Sequence, residues 1–208
     1  MEAAPDEVLA SARITEAVDS GRGEWSDTLR ALYGVTIEHF GGRTTAELDP
    51  EQSFDPQTRT AMDWVEKYGL SRSTLIAETS KDEARQVLRD GLAEGKSIPQ
   101  IAKGIERHYE ERGKQRSRVA AITEIVSSGN FGAITAARQS GVAVSKQWMD
   151  AGDQRVRFSH EQADGQTVPL GEPFIVSGFE LDFPGDPSLG IPPDLVIGCR
   201  CSLAFNIS

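Results

Sequence analysis

The pattern of apolar residues changes at Gly141, and this change is the strongest constraint on the fold. Before Gly141, apolar residues recur at three- and four-residue steps between helix start and stop signals. After it, Val142–Trp148 alternates as a strand does, and prolines and turn signals such as Asp164-Gly165 become frequent. The sequence therefore predicts an α+β protein: a helical N-terminal region followed by a long helix and a small irregular β-rich C-terminal module.

The first helices are predicted to be short. Weak periodicity indicates helices over 6–19 and 26–33. Residues 34–53 are predicted to form a loop, because they contain a Gly-Gly pair and an Asp-Pro pair. After this loop, Asp55 is expected to cap a helix that begins at the following proline and buries Trp64.

Three more helices are expected before the β-rich part. Ser-x-x-Glu and Ser-x-x-Gln patterns open two of them, over 80–95 and 97–109. The longest is predicted over about 117–140 and to end at a glycine. Gly129 and Gly132 lie inside it, where each costs about 1 kcal/mol relative to alanine. Either they permit close packing against another element, or they are ordinary tolerated glycines.

Alternation in the first predicted strand defines a face that should be buried. That face carries Val142, Val144 and Trp148, together with the stem of Lys146. A second short strand is predicted over 167–170.

The C-terminal segment holds candidate metal ligands. A closing strand over 195–205 would place Cys199 and Cys201 on one face. With His160 they would offer two thiolates and an imidazole, which suit zinc, and a small loop-rich module gains much stability from a metal. One of three carboxylates would complete the site: Asp153, Asp164 or Asp186.

Two other interpretations of the same residues stay open. Reduced cysteines can pack as small apolar groups while His160 forms a hydrogen bond with the backbone or a carboxylate. Alternatively, a cysteine nucleophile, His160 and an aspartate could form a catalytic arrangement, or the histidine and aspartates a metal-dependent nuclease. The sequence has no nucleophile elbow or phosphate-cradling loop. A Cys199–Cys201 disulfide would close a very small strained ring.

Charge and hydropathy limit the partners. The net charge of −10 opposes a protein whose main role is to coat a phosphate backbone. A mixed basic stretch over 103–118 is either a solvated helix end and linker, or a local contact to DNA or to an acidic partner. No apolar run approaches the roughly 20 residues that span a bilayer, and the N-terminus lacks a secretory signal. We therefore expect that the protein does not associate with a membrane. We also expect it to be made in the cytoplasm.

The order and spacing of the C-terminal motifs resemble the phage Mu protein F-like family of minor head proteins. The resemblance is firm over about 116–203, looser over 78–115, and absent before 76. It divides the chain into a helical N-terminal region, 1–75, and a Mu F-like domain, 76–208, with a β-rich cap over 141–208. The residues that match the family pattern are Thr123, Glu124, Asn130, Trp148, Asp153, Arg157, His160, Asp164, Gly165, Pro184, Gly185, Asp186, Pro187, Cys199, Arg200 and Cys201.

Two positions depart from the family pattern. Ile122 stands where an arginine is expected, and Gly198 replaces the asparagine before the cysteines. Arg118, one helical turn earlier, is a speculative substitute for the missing guanidinium. Three arginines are expected to link loops through bidentate bonds to the aspartates, or else to bind a partner: Arg155, Arg157 and Arg200.

The resemblance implies a minor structural protein of a tailed phage or phage-like particle, with no enzymatic activity. It would associate with the portal protein and other head or scaffold proteins during procapsid assembly, and would aid DNA packaging or ejection. It would be found in the head interior near the portal vertex, and in the host cytoplasm during assembly. The alternative is a metal-binding or catalytic toxin-type effector domain using His160 and Cys199 or Cys201. A third class is a metal-stabilised interaction module outside any virion.

Overall fold

A computed structural model describes residues 29–68, 98–188 and 190–207, together with positions 86, 90 and 94. For 98–99 and 101–118 it describes the backbone alone. The predicted helix over 6–19, and nearly all of the one over 80–95, lie outside the described residues.

The chain divides into two compact units. One comprises Met1–Leu29 and Lys67–Ser117, and its described part includes the first half of the longest helix. The other comprises Arg30–Glu66 and Arg118–Ser208. Every strand in the described part of the chain belongs to this second unit, together with the second half of the long helix. The combination of helices and small antiparallel sheets confirms the α+β class.

Helix α1 covers residues 29–48, so the predicted loop over 34–53 is wrong for most of its length. Tyr33 and Ile37 are buried one helical turn apart on it. Gly41 lies within the helix, and its lack of a side chain allows the Phe54 ring to lie against the helix backbone. A Cβ atom at Gly41 would come within 2.3 Å of the Phe54 ring.

Helix α2 covers residues 59–68, and its start differs from the prediction at Asp55. The Oγ1 atom of Thr58 accepts a hydrogen bond from the Ala61 amide at 3.3 Å, which places the cap at Thr58. Asp55 instead accepts from the Gln57 amide in a local turn. Trp64 is buried, as predicted.

Helix α3 is continuous over Ile98–Ser140, where two helices with a break between 109 and 117 were predicted. The intervening residues are mostly Glu, Arg, Lys and Gln, which favour helix, and one glycine is too weak a signal to end it. The predicted stop is confirmed: Gly141 has a φ of +69°, a conformation that favours glycine.

The glycines inside α3 permit close packing, as one interpretation of the sequence proposed. A Cβ atom at Gly132 would lie 2.7 Å from the Ile37 carbonyl oxygen and 2.9 Å from the Ile37 Cα atom. At Gly129 it would lie 2.9 Å from the Phe40 ring. Helices α1 and α3 therefore approach almost backbone to backbone, which larger residues would prevent.

The β-rich module contains two antiparallel sheets. Strands β1 (Ala143–Met149), β2 (Thr167–Pro169) and β5 (Ser202–Ile207) form a three-stranded sheet in the order β2-β1-β5. Strands β3 (Phe174–Val176) and β4 (Phe179–Leu181) form a hairpin. Its two-residue turn has positive φ at both Ser177 and Gly178, the geometry that suits the strand twist.

The predicted face of β1 is partly wrong. Lys146 and Trp148 are completely buried, but Val144 is 51% exposed. The pairing of β1 with β5 shifts register between Ala143 and Ser145, so the strict alternation assumed from the sequence fails there.

The last predicted strand is also shorter than expected. Helix α5 occupies Pro193–Val196, and β5 begins only at Ser202. Cys199 and Cys201 therefore lie in the segment between a helix and a strand, and not on a strand.

The core of the second unit joins helices and sheet. Trp64 stacks on Phe131 of α3 with ring centroids 4.5 Å apart, and Phe131 also contacts Phe183 of the module. Inside the module, the Phe174 ring meets Trp148 edge to face at 5.4 Å. Aromatic contacts of this kind add to the apolar area that packing already buries.

Substituting Gly132 tests the close approach of α1 and α3. We expect Gly132→Ala to lower the free energy of unfolding by about 1–3 kcal/mol, because the new methyl group meets fixed backbone. Gly34→Ala is the matched control, since a Cβ atom there meets nothing within 4 Å. It should raise the free energy of unfolding by about 0.5–1 kcal/mol. Urea denaturation of both variants gives the comparison, and equal effects would contradict the packing argument.

Candidate functional site

The buried centre of the module brings together His160, Cys199 and Cys201. A short helix, α4 (Phe158–Glu161), carries the histidine, and the α5–β5 connection carries both cysteines. The Nδ1 atom of His160 lies 3.3 Å from the Cys201 Sγ atom and 3.6 Å from the Cys199 Sγ atom. All three side chains are at most 4% exposed, and the cysteines are not joined by a disulfide.

Helix α3 holds the cysteine segment in place. The side-chain amide of Asn130 donates two hydrogen bonds, to the Pro184 carbonyl at 2.8 Å and the Cys201 carbonyl at 2.9 Å. The hydroxyl of Thr123 accepts from the Gly198 amide at 2.8 Å and donates to the Val119 carbonyl. Two of the motif residues therefore act by fixing backbone that belongs to other motifs.

The departure at Gly198 has a structural reason. Its φ is +68°, in the left-handed region that glycine adopts freely and asparagine adopts more readily than other residues. Glycine and asparagine can therefore both occupy this backbone position. At the other departure, Ile122 is half-buried on α3. The side chain of Arg118, the suggested substitute for the missing guanidinium, lies outside the described residues.

The Pro-Gly-Asp-Pro loop is closed by its own aspartate. The buried Asp186 carboxylate accepts from the Asp182 amide at 2.9 Å, and from the amide and hydroxyl of Ser188. Gly185 has a φ of +80° and faces the Ser127 backbone of α3, which a Cβ atom would approach to 3.5 Å. Asp186 is therefore a structural residue, and its oxygens point to the loop.

Asp153 and Arg200 form a bidentate ion pair. The two guanidinium nitrogens lie 2.5 and 2.6 Å from the two carboxylate oxygens. The Arg200 guanidinium, together with the Arg155 amide, holds the pKa of Asp153 well below its ordinary value. Arg157 donates to the Ile197 carbonyl and so ties α4 to the segment that carries the cysteines. The prediction of a bidentate bond between an arginine and an aspartate is therefore confirmed for Arg200 and Asp153. Arg157 differs, because it donates to a backbone carbonyl.

The Asp-Gly turn joins β1 to β2. Asp164 accepts from the Asp150 amide at 2.8 Å, and the Gly165 amide donates to the Trp148 carbonyl at 2.9 Å. Gly165 has a φ of +74°. These bonds close the loop that contains α4, so the position of His160 depends on them.

Glu124, another motif residue, is buried between helices. It accepts a hydrogen bond from the Tyr33 hydroxyl at 2.5 Å. One turn further along α3, Ser128 shares a 2.6 Å hydrogen bond with Thr36 of α1. These polar contacts set the register between the two helices, because each group would be costly to bury alone.

Sequence reasoning missed the role of Lys146. Its ammonium group is completely buried and donates to the carbonyl and carboxylate of Asp182 at 2.7 and 2.6 Å. Desolvation lowers the pKa of Lys146, and Asp182 opposes that effect. Arg138 of α3 binds the same carboxylate at 2.9 Å. The only signal in the sequence was that the alternating pattern places a lysine on the buried face of β1. A fully buried lysine is rare unless it has a partner of opposite charge.

The cysteines differ in their acidity. The hydrogen bond from the Cys201 thiol lowers the pKa of Cys199, with smaller contributions from Arg157 and Arg200. The same hydrogen bond and burial raise the pKa of Cys201. Among the described residues, the group that can hold a metal ion consists of His160 and the two cysteines. The three carboxylates proposed as a fourth ligand form hydrogen bonds to other groups: Asp153 to Arg200, Asp164 to the Asp150 amide, and Asp186 to Ser188.

Other partner predictions are not decided by the described residues. The side chains of 103–118, where DNA contact was considered, lie outside them. Within the part of the chain that was described, no helix is long and apolar enough to cross a membrane.

Comparison with known proteins gives one family and two relatives. The family model described as "Phage Mu protein F like protein" matches residues 82–204. The chain is 22% identical over 192 residues to "Uncharacterized protein YqbB" of Bacillus subtilis (strain 168), covering 90% of the chain and 62% of that protein. It is 30% identical over 118 residues to "NAD(+)--arginine ADP-ribosyltransferase EFV" of Enterococcus faecalis (strain ATCC 700802 / V583), covering 54% of the chain and 23% of that protein. The chain thus spans less than two thirds of either relative. No solved structure matches the chain.

Asn130 offers a direct test of the polar framework. Asn130→Ala removes both donors and leaves the Pro184 and Cys201 carbonyls buried without them, so the free energy of unfolding should fall by about 2–4 kcal/mol. Asn206→Ala is the control, because Asn206 makes an exposed bond to Ser145 and should change stability by less than about 0.5 kcal/mol. Urea denaturation monitored by tryptophan fluorescence measures both. A fall for Asn130→Ala no larger than that of the control would contradict the role assigned to it.

The Asp153–Arg200 pair predicts a specific pH dependence. Because the folded-state pKa of Asp153 is lowered, its contribution to stability is present above its ordinary value of 3.8 and is lost as pH falls through the folded-state value. The stability difference between the unmodified chain and Asp153→Asn should therefore be largest near neutral pH and shrink below about pH 4. Arg200→Gln should show the same trend, since it removes the same pair. A difference that stays constant on acidification would exclude the pair as its source.

Proposed function

Because the chain belongs to the phage Mu protein F-like family, we propose that it is a minor structural protein of the head of a tailed phage or phage-like particle. The family membership makes it a phage head-related protein. The finer proposal is that it associates with the portal protein and other head or scaffold proteins during procapsid assembly, and aids DNA packaging or ejection. It would then be located in the head interior near the portal vertex, and in the host cytoplasm during assembly.

One observation carries this proposal: the motif residues bind one another and the backbone. Asn130 and Thr123 hold the cysteine segment, Asp186 closes its own loop, and Arg200 binds Asp153. A constellation built for chemistry would instead present reactive groups to a cleft. Side chains used in this way maintain a rigid surface, which is what a protein needs when its role is to bind other proteins.

The net charge favours a protein partner over DNA. A net charge of −10 disfavours binding to a phosphate backbone. A local DNA contact through 103–118 is compatible with this charge but would be secondary. We therefore propose the portal as the main partner and complementary charge as one determinant of that association.

We propose that the chain itself is not an enzyme, although one relative is named as an arginine ADP-ribosyltransferase. The similar segment makes up 23% of that relative, so the segment can be a module that accompanies a catalytic domain. His160, Cys199 and Cys201 are at most 4% exposed, which denies a substrate access to them. Incubation of the purified chain with labelled NAD⁺ and an arginine-rich acceptor should transfer no more label than the heat-denatured chain does. Transfer above that background would overturn this part of the proposal.

The portal association is tested by co-expression. We expect the full chain, produced together with the portal protein of the same genome, to elute with it in size-exclusion chromatography and to sediment with procapsids. The portal of an unrelated phage is the control and should leave the chain in the free fraction. Free chain in the presence of its own portal and procapsids would contradict the proposal, provided that circular dichroism shows a folded protein.

A further inference from the structure

The distances from the His160 imidazole to the two cysteine sulfur atoms match those around a tetrahedral metal. With zinc–sulfur and zinc–nitrogen bonds of about 2.3 and 2.0 Å, tetrahedral geometry separates a nitrogen and a sulfur ligand by about 3.5 Å. The two separations observed are 3.3 and 3.6 Å, both from the same Nδ1 atom. The three ligand atoms all lie within 4.8 Å of one another. The side chains therefore need little movement to close around an ion.

Hydrogen bonding alone does not explain this convergence. The Nδ1 atom carries either one proton or one lone pair, so it can make one good hydrogen bond, yet two sulfur atoms lie against it. Thiols are weak donors and weak acceptors, which makes them a poor reason to bury an imidazole. A cation at the centre would use all three converging atoms at once.

The surroundings suit a buried metal site. Each ligand is almost completely excluded from solvent, and Trp148 covers the imidazole with its ring 5.5 Å away. The cysteine segment is positioned independently by Asn130 and Thr123, so the ligands are held before any ion binds. Two thiolates and one imidazole are soft ligands, which select zinc over magnesium or calcium.

We propose that His160 Nδ1, Cys199 Sγ and Cys201 Sγ bind one zinc ion, with a water molecule in the fourth position. The ion links α4 to the segment before β5, two parts of the module that are about 40 residues apart in sequence. Its role is to stabilise the module, because a metal bound only by the folded state adds its binding free energy to folding. This proposal does not depend on the head-protein function.

The first experiment measures metal content by mass spectrometry after purification without a histidine tag, in a reducing buffer with added zinc and a final desalting step. We expect one zinc ion per chain. Cys199→Ser, Cys201→Ser and His160→Asn should each reduce the content at least tenfold. His39→Asn is the matched control, because His39 is exposed on α1 and should leave the content unchanged.

The second experiment does not depend on the variants folding. X-ray absorption at the zinc edge of the unmodified chain should show two sulfur neighbours at about 2.3 Å and two nitrogen or oxygen neighbours at about 2.0 Å. Removing the ion with a chelator should lower the melting temperature, and adding zinc back should restore it.

Two results would overturn the zinc proposal. One is a folded and reduced chain that retains no zinc. The other is bound zinc whose neighbours contain no sulfur, or whose amount is unaffected by all three ligand substitutions. Neither result would affect the portal experiment, so failure of this proposal is distinguishable from failure of the proposed function.

Discussion

The two hydrogen bonds donated by Asn130 are the interaction on which the rest of the module depends. A primary amide has two N–H donors, and here both donate to carbonyls of different segments, at Pro184 and Cys201. One residue of α3 thus fixes the Pro-Gly-Asp-Pro loop and the cysteine segment relative to each other. The alternative, two buried carbonyls without donors, would cost a large fraction of the stability of a domain this size. The geometry of the His160 cluster follows from this arrangement.

Charged groups in the module are used mainly for architecture. Lys146 is buried without solvent contact because Asp182 neutralises it, and Arg138 brings α3 to the same carboxylate. The Asp153–Arg200 pair links the loop that leads into α4 to the segment that carries the cysteines. Removing Asp182 would leave the buried Lys146 ammonium without a countercharge, which is strongly destabilising, whereas the Asp153–Arg200 pair lies closer to solvent. Such groups explain why a module with few regular elements, the β strands being three to seven residues long, adopts a defined structure.

Some features of the fold and the site could be read from the sequence, and others could not. The end of α3 at Gly141 and the turn at Gly165 were predictable, since positive φ restricts the choice of residue locally. The predicted loop over 34–53 was wrong because Gly41 serves packing against Phe54, and a packing glycine looks the same in sequence as a helix-breaking one. The predicted burial of Val144 was wrong because a shift of register between strands leaves no signal in the local sequence. The domain boundary near residue 75 stays a prediction.

The sequence by itself determined the α+β class, the division of patterns at Gly141 and the family, because each depends on local periodicity or on the order of motifs along the chain. It also supplied His160, Cys199 and Cys201 as a set of related residues. Only the tertiary structure decided that they meet: the two cysteines lie in a connection held by α3, and the carboxylates considered as further ligands bind elsewhere. Convergence across some 40 residues depends on how the intervening loops close, and those closures are made by contacts between residues far apart in the chain.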